Sequence, residues 1–210
     1  QRERRALERL PAFHVKKTLS DLDDFLSRLP FKLTEAQQRA IEAVLADFRS
    51  GRAMSRLLEG DVGSGKTAVA AATAYAIVSQ QFARAPNADV LQVAYMAPTE
   101  ILAKQHFASF IEYFKHLPVQ VGLITAGGCK KFPSKTRPDE PTTISRAQLL
   151  RWVASGEIAI LIGTHALIQQ SVRFRDLAYA IIDEQHRFGP AQRRQLARKE
   201  ECIPHLLSRT

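Results

Sequence analysis

No stretch limits the possible folds of this chain more than residues 60–67, GDVGSGKT. It spells G-x-x-x-x-G-K-[ST] in full, directly after the apolar pair Leu57 and Leu58 and before an alanine-rich segment. Such a run needs a strand leading in and a helix leading out. Its glycines let the backbone wrap so that several N–H groups point inward, and the helix brings its positive dipole end to the same place. These residue types suit the phosphates of a nucleotide. Gly60, Asp61, Val62, Gly63, Ser64 and Gly65 form the wrap, Lys66 can reach the β and γ phosphates, and the Thr67 hydroxyl can ligate Mg2+. The plainer alternative is a glycine-rich strand–helix turn.

The surrounding pattern agrees with an α/β fold. Short apolar runs at 56–60, 90–98, 119–125, 158–163 and 178–183 are predicted strands, and the segments 34–48, 65–81, 99–114 and 144–154 are predicted helices. Alternating strands and helices, with strands apolar along their whole length, predict a parallel sheet covered on both faces. In such sheets ligands sit beyond the carboxyl ends of the strands. Residues 129–141, CKKFPSKTRPDEP, carry three prolines and four basic residues and are expected to form an exposed loop. Residues 1–30 look helical and amphipathic, broken at Pro11, with Ser20 and Asp23 offering a helix start. They are expected to be a linker from an upstream region, with the nucleotide-binding domain at 31–210. The chain starts at Gln1 and stops at Thr210 after an apolar IPHLL, which suggests a piece of something longer.

Charge narrows the partners. Thirty Lys and Arg against twenty-one Asp and Glu give a net +9, and residues 187–199 hold five basic side chains and no acid. A basic balance fits a polyanionic partner, although a merely basic surface gives the same count. Cys129 and Cys202 fit no metal spacing and are expected to be reduced thiols. No apolar run approaches the ~18 residues of a membrane span.

Two further constellations complete a nucleotide site. The apolar run AYAIID ends in Asp183 and Glu184. Asp183 at a strand end suits a Mg2+ ligand, and Glu184 suits orienting and deprotonating an attacking water. The segment LPFKLTEAQQRAI holds Thr34 and Gln37 at the spacing of a capping box. The Gln37 amide also matches the donor–acceptor edge of adenine, and Phe31 could pack on the base. Both readings of Gln37 stand on the residues alone.

Together GDVGSGKT, MAPTEILAKQH (96–106), IGTHALIQ (162–169) and DEQHRFG (183–189) resemble the first motor domain of superfamily 2 helicases. More narrowly, they resemble the RecG family of bacterial ATP-dependent helicases that remodel branched DNA. The resemblance covers about residues 29–210. It implies a RecA-like P-loop NTPase domain that uses ATP and Mg2+ and an adenine-reading role for Gln37. It further implies DNA phosphate contacts from Pro98, Thr99, Gly163, Thr164 and His165, and a relay of the γ-phosphate state through Gln185 and His186. Implied partners are branched or forked DNA, a second RecA-like lobe supplying an arginine finger, and an upstream wedge domain. The implied setting is the bacterial cytoplasm, near the nucleoid. The turn 125–128 departs from the family's Thr-Gly pair, and a transcription-repair coupling translocase of the Mfd family remains an alternative. So does a nucleotide-dependent interaction module without DNA.

Overall fold

The computed structural model describes residues 11–61, 63–82, 90–183 and 203–210. Eight strands form one sheet: β1 (Ser55–Leu58), β2 (Gln92–Met96), β3 (Val121–Thr125), β4 (Gly128–Phe132), β5 (Thr142–Ile144), β6 (Ile160–Gly163), β7 (Leu177–Asp183) and β8 (His205–Arg209). Their order is β1-β8-β7-β2-β6-β3-β4-β5. Pairing is parallel from β1 to β3 and antiparallel from β3 through β5. Among the described residues, five α-helices accompany it: α1 (Asp23–Ser27), α2 (Glu35–Ser50), α3 (Lys66–Val78), α4 (Glu100–Phe114) and α5 (Arg146–Ser155).

The apolar runs are continuous because both faces of the sheet are covered. Side chains alternate between two cores, as a strand's period of two requires. Tyr95, Ile160, Ile162, Tyr179, Ile181 and Leu207 join the core under α2, α3 and α4. Their neighbours Met96, Leu161, Ala180, Ile182 and Leu206 join the core with α5. Helix α3 is buried along most of its length, and its alanines let it lie close to the sheet. Its Thr73 hydroxyl hydrogen-bonds the Tyr179 hydroxyl at 3.0 Å across the packing plane.

One expectation about the chain's irregular parts is corrected. Residues 129–141 are not one exposed loop. Gly128–Phe132 turns straight back along β3, and Cys129, Lys131 and Phe132 are buried. Strand pairing satisfies the backbone, and the Lys131 ammonium lies 4.7 Å from the centroid of the Trp152 ring, so the basic residue is accommodated without leaving the sheet. Only the proline-bearing stretch 133–141 lacks strand structure. The apolar run at 203–207 was not among the predicted strands, yet His205–Arg209 is inserted between β1 and β7.

Within residues 11–30, helix is limited to a 3-10 turn at Ser20–Leu22 and to α1. Val15, Leu22, Phe25 and Leu29 pack into the larger core, and Phe25 stacks on Tyr75 with centroids 4.5 Å apart. His205 ties this segment to β8. Its Nδ1 accepts from the Met54 N–H at 3.2 Å and its Nε2 donates to the Phe13 carbonyl at 2.8 Å. That arrangement needs the neutral ring, and burial lowers its pKa from the ordinary histidine value. Among the described residues no helix is long and apolar enough to cross a membrane.

Candidate nucleotide-binding site

The cradle lies between the end of β1 at Leu58 and the start of α3 at Lys66. Gly63 and Gly65 take left-handed φ values of 84° and 79°. The left-handed conformation favours glycine at Gly65, and a methyl group there would push the Gln37 amide aside. Gly65 is the N-cap of α3, and no side chain caps that helix. Its first-turn N–H groups therefore face the cradle without a side-chain acceptor of their own. The Lys66 ammonium donates to the carbonyls of Asp61, at 2.8 Å, and of Gly60. These are weak neutral partners for a cation, and phosphate oxygens could replace them.

Gln37 serves the cap and the cradle at once. Its Oε1 accepts from the Thr34 N–H at 2.9 Å, and its own N–H donates to Thr34 Oγ1 at 3.3 Å, which makes the capping box of α2. Its Nε2 donates to the Ser64 carbonyl at 2.8 Å. The capping reading thus holds, and the same amide is locked onto the cradle wall. Phe31 is a partly exposed ring set edge-on to Tyr113 with centroids 6.1 Å apart.

Asp183 ends β7 two strands away from the cradle strand. His106 Nε2 lies 2.8 Å from its Oδ2, and Arg209 Nη2 donates to the same oxygen at 3.4 Å. Burial alone would raise the Asp183 pKa. The His106 hydrogen bond and the charges of Arg209, His106 and Lys66 outweigh it and hold the carboxyl below its ordinary value. Arg209 Nη1 also donates to Thr67 Oγ1 at 3.3 Å, so Thr67 and Asp183 share one cationic partner. A hydroxyl and a carboxylate are hard oxygen donors. Mg2+ commonly takes one or two such protein ligands and completes its shell with phosphates and water, so this pair fits the ion. Among the described residues no group of three or more His, Cys, Asp or Glu could hold a metal alone.

The implied DNA-contacting residues gather at the carboxyl ends of neighbouring strands. Pro98 and Thr99 follow β2, while Gly163, Thr164 and His165 follow β6, and the Ala97 N–H donates to the Gly163 carbonyl at 2.8 Å. A methyl on Gly163 would come 2.5 Å from the Ile124 carbonyl, which explains glycine there. Thr99 Oγ1 caps α4 by accepting from the Leu102 N–H at 3.2 Å. Glu100 accepts from the Gly127 N–H at 3.1 Å and pairs with Lys104 at 2.7 Å. Its pKa is lowered by the Lys104 bond first and the Gly127 bond second. Thr164 opens a 3-10 turn at His165–Ile168. Val62, Glu184, Gln185 and His186 lie outside the described residues.

Three contributors were not among the predicted site residues: His106, Tyr95 and Arg209. His106 closes the quoted segment MAPTEILAKQH, but the contact with Asp183 spans 77 positions of sequence. Arg209 follows an apolar run, and nothing local marks it as a partner of Thr67.

A glycine cradle opening an uncapped helix, beside a strand-end carboxylate on a mainly parallel sheet, defines a P-loop NTPase of the RecA-like class. Comparison with known proteins narrows this. The chain belongs to the DEAD/DEAH box helicase family, whose pattern matches residues 34–207. It is 42% identical over 201 residues to the ATP-dependent DNA helicase RecG of Aquifex aeolicus, covering 95% of this chain and 22% of that protein. To the RecG of Bacillus subtilis it is 45% identical over 179 residues, covering 85% of this chain and 23% of that protein. The chain therefore spans less than a quarter of either relative. A solved structure of RecG bound to a three-way DNA junction superposes with a TM-score of 0.74 at 33% identity, covering 99% of this chain and 25% of that one. The DEAD-box helicase Mss116, solved with ssRNA and UDP-BeF, shares the fold at a TM-score of 0.62 and 18% identity, over 95% of this chain and 42% of that one.

Proposed function

We propose that this chain is the first motor lobe of an ATP-dependent DNA translocase that remodels branched DNA, by fork reversal and branch migration, in recombination and repair. The observation that carries the reading is the meeting of Thr67 and Asp183 through Arg209, beside the cradle of Lys66, in a chain similar to RecG. The cradle amides and the Lys66 ammonium bind the phosphates. Lys66 exchanges the Gly60 and Asp61 carbonyls for phosphate oxygens. Gln37 reads the adenine edge beside Phe31, moving its amide from the Ser64 carbonyl. Thr67 and Asp183 would hold Mg2+, which would supply Lewis-acid stabilisation of the phosphoryl oxygens. Glu184 orients the attacking water, and Gln185 and His186 report the γ-phosphate state.

Pro98, Thr99, Gly163, Thr164 and His165 contact the DNA backbone and not base edges, so binding is insensitive to sequence. Contact with roughly two to four phosphates gives a slope of about −2 to −4 in log K against log[salt]. A second lobe supplies an arginine finger, worth about 10³–10⁵ in rate, so this lobe alone is a poor ATPase. An upstream wedge domain supplies junction preference. The setting is the bacterial cytoplasm, near the nucleoid.

The test is ATP turnover by the whole protein with forked and linear duplex DNA. Greater stimulation by forked DNA, lost in Glu184→Gln while Mg2+-dependent nucleotide binding is kept, supports the reading. Normal turnover in Glu184→Gln removes Glu184 as the base. ATP turnover indifferent to DNA at every salt concentration overturns the DNA role.

A further inference from the structure

Arg209 enters the site by an unusual route. It ends β8, where strand register pairs it with Leu58, next to the cradle, and with Asp183. It is 5% exposed, so its charge is out of water and needs compensation. Among the described residues, its hydrogen-bond partners are Thr67, Tyr95 and Asp183. Nη1 donates to Thr67 Oγ1 at 3.3 Å and to the Tyr95 hydroxyl, and Nη2 donates to Asp183 Oδ2 at 3.4 Å. Nε lies 3.4 Å from Asp183 Oδ1, close enough for ion pairing but without hydrogen-bond geometry. The Tyr95 ring lies 5.5 Å from the guanidinium carbon. Burial raises the Tyr95 pKa, so its hydroxyl stays neutral and holds the cation without neutralising it.

The oxygens that Arg209 occupies are those a divalent cation needs. A carboxylate oxygen engaged by a guanidinium has less capacity left for a metal, and two cations sharing a buried carboxylate repel strongly. We propose that Arg209 is a built-in competitor of the nucleotide's divalent cation: its guanidinium holds Thr67 and Asp183 together, and the cation gains them only as Arg209 releases them. The inference rests on the nucleotide-site reading and adds to it a residue that sets how strongly nucleotide binding depends on metal. A guanidinium left in the site also attracts phosphates, so metal-free nucleotide is bound better than a metal-only site would allow. The ratio of metal-free to metal-loaded dissociation constants is thereby compressed.

The experiment is a fluorescence titration of the chain with mant-ADP, in excess magnesium chloride and in excess EDTA. In Arg209→Met the ratio of the EDTA to the magnesium dissociation constant is expected to rise roughly tenfold, the scale of one charged hydrogen bond. Tyr95→Phe, which loosens the guanidinium but keeps every charge, should shift the ratio the same way by less. It carries the test if Arg209→Met does not fold. A thermal melt without nucleotide should show both variants less stable, Arg209→Met more so. An unchanged ratio, or equal weakening in both buffers, overturns the competition and makes Arg209 a scaffold or plain phosphate ligand. The nucleotide-site reading fails separately, if Lys66→Ala binds mant-ADP as well as the parent chain.

Discussion

Helices α3 and α4 both begin at the carboxyl end of the sheet, and they begin in opposite ways. Helix α3 starts from a left-handed glycine, without a side-chain cap and without an acid in its first turn. Helix α4 starts from Thr99, whose hydroxyl already takes the Leu102 N–H, and Glu100 places a carboxylate in its first turn. An uncapped N-terminus is less stable by itself but leaves its donors for an anion, whereas a capped one has spent part of its capacity internally. Two strand–helix turns at one sheet edge thus need not offer phosphates the same site. The first is built to enclose them. The second presents a capped start with a carboxylate in its first turn.

The largest expected effect is at the cradle. Lys66→Ala should cut ATP turnover of the whole protein by about 100-fold or more while leaving the melting temperature near the parent value, because a preorganised cation is lost and no core contact is. Retained turnover would break the contrast at its root. Gly65→Ala should come next. A left-handed non-glycine residue costs about 1–2 kcal/mol, and the methyl displaces Gln37 from the Ser64 carbonyl. Urea unfolding should show that loss together with weaker nucleotide binding.

Thr99→Ala should destabilise by about 1 kcal/mol in the same unfolding assay and leave nucleotide affinity alone, since only a cap is removed. A change in nucleotide affinity would mean that the two helix starts are coupled. The smallest effect belongs to Glu100→Gln. Removing this charge should tighten binding of duplex DNA about two- to threefold at low salt, with the gain fading as salt rises. Weaker DNA binding would instead show that Glu100 matters through its hold on the Gly127 N–H.

The legibility of the sequence divides along the same physical lines. Strands β2, β3, β6 and β7 were plain because burial on both faces leaves unbroken apolar runs. The cradle was plain because its chemistry is local: every residue of the wrap lies within one turn of chain. Strand β8 was not, because it ends in the buried Ser208 and Arg209, and the partners of Arg209 come from β2, β7 and α3, far away in sequence. Strand β4 was hidden by its lysines, one of which is sheltered by Trp152. Thr34 and Gln37 announced a cap, and the cap is there, but the bond from Gln37 to the Ser64 carbonyl spans 27 positions and had no local sign. The cluster of Thr67, Tyr95, His106, Asp183 and Arg209 is assembled by strand order and by the packing of α3 and α4 on the sheet, which residue spacing does not encode.

Amide hydrogen exchange of the chain with and without ATP and magnesium reads both helix starts in one experiment. The expectation is slowed exchange across residues 65–67, where uncapped donors meet the phosphates, and no change across residues 100–103, where Thr99 and Glu100 already occupy the turn. Equal slowing at both helix starts, or none in the cradle, would contradict it.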